Sequence, residues 1–154
     1  MDHPPSAPAR VAERPTWLIG RTFARSSGLL AAAFESYGSG LRSYHYRLLA
    51  ALEEYGPVSQ ADLGRGTGMD RSDVTGVLSE LESRGLVVRA GDPEHKRRNI
   101  VTITPAGVEQ LLELDKVIED VQEQVLRPLT GAQRRQFIAL MRKLLTGPDG
   151  PPGG

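Results

Sequence analysis

A mainly α-helical fold carrying one small β-hairpin is predicted by three features of the 154-residue chain. Apolar side chains recur at helical spacing through most of its length. Two short β-branched runs, 86–89 and 99–103, read as strands. Glycine or proline punctuates the junctions between these segments. Residues 1–14 and 146–154 are rich in proline, alanine or glycine and are expected to be disordered tails around one folded unit, 15–145. The composition, 39% hydrophobic and 25% charged, suits a globular domain. No apolar run approaches the roughly 20 residues that span a bilayer. The first residues lack the apolar core of an export signal, so the cytoplasm is the expected location.

The first long helix is expected over about 16–37, with Trp17, Leu18, Phe23, Leu30 and Phe34, and it stops at Gly38-Ser39-Gly40. A second, about 43–55, sets Leu48, Leu49 and Leu52 on one face and stops at Gly56-Pro57. Residues 59–66 read as a short helix with Ser59 as N-cap and Asp62 placed to answer it. After the turn Gly66-Thr67-Gly68, Asp70 stands at the N-cap of an amphipathic helix. Its inner stripe is Val74, Val77, Leu78 and Leu81, and Gly85 ends it. The two strands follow, joined by a polar loop that opens with Gly91-Asp92-Pro93. Thr104 and Pro105 start a long helix whose stripe is Val108, Leu111, Leu114, Ile118, Val121 and Val125. Thr130 caps a last helix with Phe137, Leu140, Met141 and Leu144 on one face.

Helix, short helix, tight turn, amphipathic helix and hairpin, over about 43–103, is the order of a winged helix-turn-helix. Net charge is zero, yet by segment it runs +3 (1–47), −4 (48–88), +2 (89–103), −4 (104–129) and +3 (130–154). The central positive segment is the hairpin, where His95-Lys96-Arg97-Arg98 place cations at a loop tip suited to the minor groove. The amphipathic helix offers Asp70, Arg71, Ser72, Thr75 and Gly76 on its exposed face, with Ser59 and Gln60 at the start of the preceding helix. Gly76 in a helix interior costs about 0.8–1 kcal/mol relative to alanine, which is understandable where a backbone must be approached closely. A solvated helix face, or a winged module that binds protein instead of DNA, is the competing reading. The long stripe of the helix after Thr104 exceeds what a small central domain can cover, which predicts a homodimer through helices at about 16–37 and 104–145.

The runs Gly40-Leu41-Arg42-Ser43-Tyr44-His45-Tyr46-Arg47-Leu48-Leu49, Val58-Ser59-Gln60-Ala61-Asp62-Leu63 and Met69-Asp70-Arg71-Ser72-Asp73-Val74-Thr75 occur in order. They are followed by Leu81-Glu82-Ser83-Arg84-Gly85-Leu86-Val87, Asp92-Pro93-Glu94-His95-Lys96-Arg97-Arg98 and Val101-Thr102-Ile103-Thr104-Pro105-Ala106-Gly107. Together they resemble the MarR family of bacterial regulators over about 16–145. The resemblance implies a triangular homodimer, a palindromic duplex operator held by two recognition helices and two wings, repression as the usual mode, and a minor-groove contact for Arg97. Two positions depart from the family: His95 stands where an aspartate usually braces the wing arginine, and Thr67 replaces an apolar residue.

Many such regulators release DNA on binding a small aromatic or anionic effector. Arg14, Trp17 and Arg21 fall at i, i+3 and i+7 near the start of the first long helix, and Tyr44 and His45 begin the second. A guanidinium can grip a carboxylate while the indole stacks on a ring, so a small aromatic carboxylic acid or phenol is the expected effector. The plainer reading makes Trp17 dimer core, Arg21 a surface cation and His45 a satisfied structural histidine. With no cysteine, no glycine-rich phosphate loop, no paired carboxylates and no histidine pair at ligand spacing, neither an enzyme, a metal site nor a cofactor is expected.

Overall fold

In the computed structural model, residues 6–148 are described. Helices α1 (Ala9–Ala12), α2 (Pro15–Tyr37) and α3 (Ser43–Tyr55) lead into strand β1 (Val58–Ser59) and helices α4 (Gln60–Thr67) and α5 (Arg71–Ser83). Strands β2 (Val87–Gly91) and β3 (Asn99–Ile103) precede α6 (Pro105–Leu126) and α7 (Gly131–Thr146). The helix-turn-helix and the hairpin stand where expected, with three differences. Ala9–Ala12, assigned to the leading tail, forms one helical turn after Pro8, since alanine favours helix and proline is tolerated at its entry. Thr146, assigned to the trailing tail, closes α7 by donating to the Arg142 carbonyl (3.0 Å). The remaining tail residues 1–5 and 149–154 lie outside the described residues.

The third difference is β1. The sheet is three-stranded in the order β1-β3-β2, all antiparallel, with Val58 opposite Val101 and Arg89 opposite Val101 on the other side. Two residues are too few to show strand periodicity, but Gly56, at φ 70°, turns them onto the free edge of β3.

One core joins α3, α4, α5, the sheet and the middle of α6. Leu48, Leu49, Leu52, Leu63, Leu78, Leu81, Val87, Val101 and Leu114 are fully buried in it, and Phe34 brings in the end of α2. Helix α5 ends in a Schellman turn: the Leu86 N–H reaches the Leu81 carbonyl (3.0 Å), the Gly85 N–H reaches that of Glu82 (2.9 Å), and Gly85 takes φ 71°. The start of α6 sits on this turn. Thr104 accepts from the Gly107 N–H (3.0 Å), donates through its hydroxyl to the Gly85 carbonyl (2.7 Å), and its own N–H donates to Leu86 (3.0 Å).

Two stretches stay bare. Leu18, Ile19 and Phe23 of α2 are 47%, 58% and 70% exposed, and α7 buries no side chain, with Leu144 73% exposed. The only ion pair between α7 and α6 among the described residues is the Arg134 fork on Glu123 (2.7 and 3.0 Å).

His45, expected in a ligand site, is instead a buried tie between helices. Its Nδ1 accepts from the Arg42 N–H (2.8 Å) at the entry to α3, so Nε2 carries the proton and donates to Glu80 of α5 (2.6 Å). Burial pushes its pKa below the ordinary value and the Arg84 and Arg42 charges add to this, against the pull of Glu80.

Two predictions follow from this packing. A Cβ on Gly107 would collide with the Leu86 carbonyl oxygen and with Ile103. Gly107→Ala is expected to cost about 2 kcal/mol and to lower Tm by roughly 5 °C or more; an unchanged melting curve would mean that α6 is not seated on the turn. For His45, the unfolded chain takes up a proton near pH 6.5 while the folded chain resists it. Its stabilising contribution is therefore present above that pH and is lost as pH falls toward the folded value. The urea midpoint of the wild type should drop more than that of His45→Gln between about pH 7.5 and about pH 5.5. Equal drops would contradict a neutral His45.

Candidate nucleic-acid interface

Helix α4 starts at Ser59, whose hydroxyl accepts from the Asp62 N–H (3.2 Å) and donates to the Asp62 carboxylate (2.6 Å). Asp62 thus answers the cap through the hydroxyl, because the backbone of Ser59 belongs to β1 beside Ile100. Ser59 is buried with its hydroxyl committed, which corrects the expectation that it contacts DNA. The Asp62 carboxylate also takes Arg65 and, across to the wing, Arg98 (3.0 Å). Gly68, at φ 67°, ends α4 and turns the chain toward α5.

Val74, Val77, Leu78 and Leu81 hold the inner face of α5 in the core, which leaves Arg71, Ser72, Thr75, Gly76 and Ser79 exposed. Asp70 occupies the N-cap position, but its side chain makes no capping hydrogen bond, so it caps by backbone conformation only. A Cβ on Gly76 would meet nothing within 4 Å, so no neighbour in the chain requires glycine there. Thr75 donates to the Arg71 carbonyl (3.0 Å) and accepts from the Gln60 amide nitrogen (2.8 Å), tying the exposed starts of α4 and α5.

The wing loop is closed by its backbone: the Asp92 N–H donates to Arg98 (2.8 Å) and the Arg98 N–H to His95 (2.9 Å). The Asp92 carboxylate accepts from the Glu94 N–H (2.9 Å) in the turn itself. His95, Lys96 and Arg97 are exposed, and among the described residues Lys96 and Arg97 join no ion pair. Arg98, expected as a DNA contact, is tied to Asp62 and anchors the loop to α4.

A second tie was not foreseen. Arg89 of β2 grips Glu82 of α5 through Nε (3.0 Å) and Nη2 (2.7 Å), and its N–H donates to the same carboxylate (3.2 Å). These hydrogen bonds hold the Glu82 pKa below its usual range. Wing and helix thereby frame a cleft of about 250 Å³ lined by Gln60, Arg71, Thr75, Arg97, Arg98 and Asn99.

The expected effector residues fall in two places. Arg21 stacks over the Trp17 ring at 5.9 Å, and Arg14 donates to the Arg10 carbonyl (3.3 Å). Tyr44, its ring 4.5 Å from that of His45, lines a groove of about 200 Å³ between α2 and α3 with Leu30, Phe34 and Arg42. Tyr44 also borders a wider opening beside α5, with Arg47, Met69 and Gly76. Neither opening includes Arg14, Trp17 or Arg21, so one chain does not unite the two groups.

No helix among the described residues is long and apolar enough to cross a membrane. A family model described as MarR family matches residues 39–98. The HTH-type transcriptional repressor NicR of Pseudomonas putida is 26% identical over 140 residues, 91% of this chain and 87% of its own. A probable transcriptional regulator from Pseudomonas aeruginosa superposes with a TM-score of 0.75 at 31% identity, over 86% of this chain and 97% of its own. BpsR of Bordetella bronchiseptica, whose DNA binding is regulated by 6-hydroxynicotinic acid, superposes with a TM-score of 0.79 at 26% identity, over 92% of this chain and 99% of its own. The chain, with its helix-turn-helix and wing, belongs to the MarR family of transcriptional regulators.

Proposed function

We propose that the chain is a sequence-specific DNA-binding repressor that acts in the cytoplasm as a homodimer and holds a palindromic operator. Binding of a small aromatic carboxylic acid or phenol releases it. The observation that carries this reading is the cleft between α5 and the wing, where Arg71 and Arg97 stand exposed beside the groups able to read bases. The zero net charge is compatible with it because the hairpin segment is positive on balance. The bare apolar faces of α2 and α7 are supplied with a partner by a second copy, as a self-complementary dimer requires. Repression is the role named for NicR.

For the effector, the α2–α3 groove offers an apolar wall from Leu30 and Phe34, the Tyr44 ring and the Arg42 guanidinium for a carboxylate. Arg14, Trp17 and Arg21 do not reach it within one chain, and in this reading they meet it across the dimer. The regulation of BpsR by 6-hydroxynicotinic acid supports the ligand class.

The test is a gel-shift titration on the duplex upstream of the protein's own gene, at two salt concentrations and against a scrambled competitor. Specific, salt-sensitive binding is expected; no binding at low salt would leave a winged module for protein partners. Arg97→Ala should weaken operator binding and reduce the slope of log K against log salt by about one, and an unmoved slope would take Arg97 off the DNA. In the same assay, 6-hydroxynicotinic acid and related hydroxylated aromatic acids should release the wild type. Arg21→Ala should keep operator affinity while losing that release. A variant that responds as the wild type does would remove Arg21 from the effector site.

A further inference from the structure

We propose that Gln60 and Thr75 act as one reading unit that selects an A·T pair in each half of the operator. The inference rests on the operator-binding reading above and adds the base chemistry it reads. Thr75 has a single hydroxyl hydrogen, and it is directed to the Arg71 carbonyl at 3.0 Å. Its oxygen therefore serves Gln60 as an acceptor at 2.8 Å, which requires the amide nitrogen of Gln60 on that side. The one hydrogen of Thr75 is thereby committed inside the protein and its oxygen already accepts from Gln60, so the side chain has no donor for the duplex and offers it its methyl group. Gln60 keeps its amide oxygen as an acceptor and the second hydrogen of its amide nitrogen as a donor.

An acceptor beside a methyl is a restrictive pair of features. In the major groove only adenine N6 and cytosine N4 donate, and only thymine carries a methyl. An A·T pair supplies both on one edge, whereas a C·G pair supplies the amine without the methyl. The unit lies in the same cleft as Arg71 and Arg97, the cations placed to hold the backbone around it. The i−4 hydrogen bond and the Gln60 link are already made in the free protein, so no rotamer freedom is lost there on binding.

The full-length protein is mixed with a duplex library carrying a randomised core, and the retained sequences are read. An A·T pair is expected at one fixed position in each half-site. On a selected duplex, deoxyuridine in place of that thymidine removes only the methyl and should weaken wild-type binding about four-fold. Thr75→Ser keeps the hydroxyl with both its hydrogen bonds and should bind the two duplexes alike. Changing A·T to G·C should cost the wild type roughly ten-fold or more, and Gln60→Ala should lose most of that discrimination. If the deoxyuridine effect appears at no position, or persists in Thr75→Ser, the reading unit is wrong while operator binding stands. A library with no enriched sequence would reject operator recognition itself, and this inference with it.

Discussion

The junction at Leu86 is the constraint on which the rest of the structure depends. Its N–H closes the turn that ends α5, its carbonyl receives the Thr104 N–H, and that same oxygen fills the space where a side chain on residue 107 would lie. The exposed helix of the helix-turn-helix, the first wing strand, the last wing strand and the long helix α6 all meet within these few residues. Leucine at 86 and glycine at 107 serve one geometry: α6 approaches the backbone so closely that only a hydrogen atom fits between them. The orientation of α5 is thus referred to α6, not to the surrounding loops.

Electrostatics divides the arginines into two groups. Arg89 and Arg98 are held on Glu82 and Asp62, tying β2 to α5 and the wing loop to α4. Ion pairs near the surface contribute little to stability. Their importance is geometric, because each fixes one corner of the cleft between helix and wing. Arg71 and Arg97, without a carboxylate partner among the described residues, remain available at its rim. A chain with no net charge can in this way present a positive surface where internal pairing is withheld.

The helices were legible in the sequence because caps and apolar stripes are local: Thr104, Thr130 and Gly85 mark ends that the structure keeps. Strand β1 was not, since a two-residue strand exists only through its pairing with β3. The fate of individual polar residues was equally hidden. His45 looked like a ligand group because its type is versatile, and only the approach of Glu80, 35 positions along the chain, makes it a tie between α3 and α5. Asp62 and Arg98 are 36 positions apart, and Tyr46 and Asp115 are 69, so neither pair leaves a periodic trace. Burial and the Asp115 hydrogen bond push the Tyr46 phenol up to about 12, and it stays a neutral donor linking α3 to α6.

These ties place the proposed effector groove beside connections that lead to α5 and α6. Tyr44 lies in the wall of that groove and next in sequence to His45, whose Nε2 holds Glu80 on α5. Tyr46, one residue further, holds α6 through Asp115. A displacement of the start of α3 therefore acts on both helices that meet at Leu86. Two recognition helices engage successive major grooves only at a separation near one helical turn, about 34 Å. In the proposed dimer α2, α6 and α7 would set that separation, and the Leu86 junction would carry a rotation of α6 to α5. Release by the proposed effector would then need only a change of that separation, with wing and cleft intact.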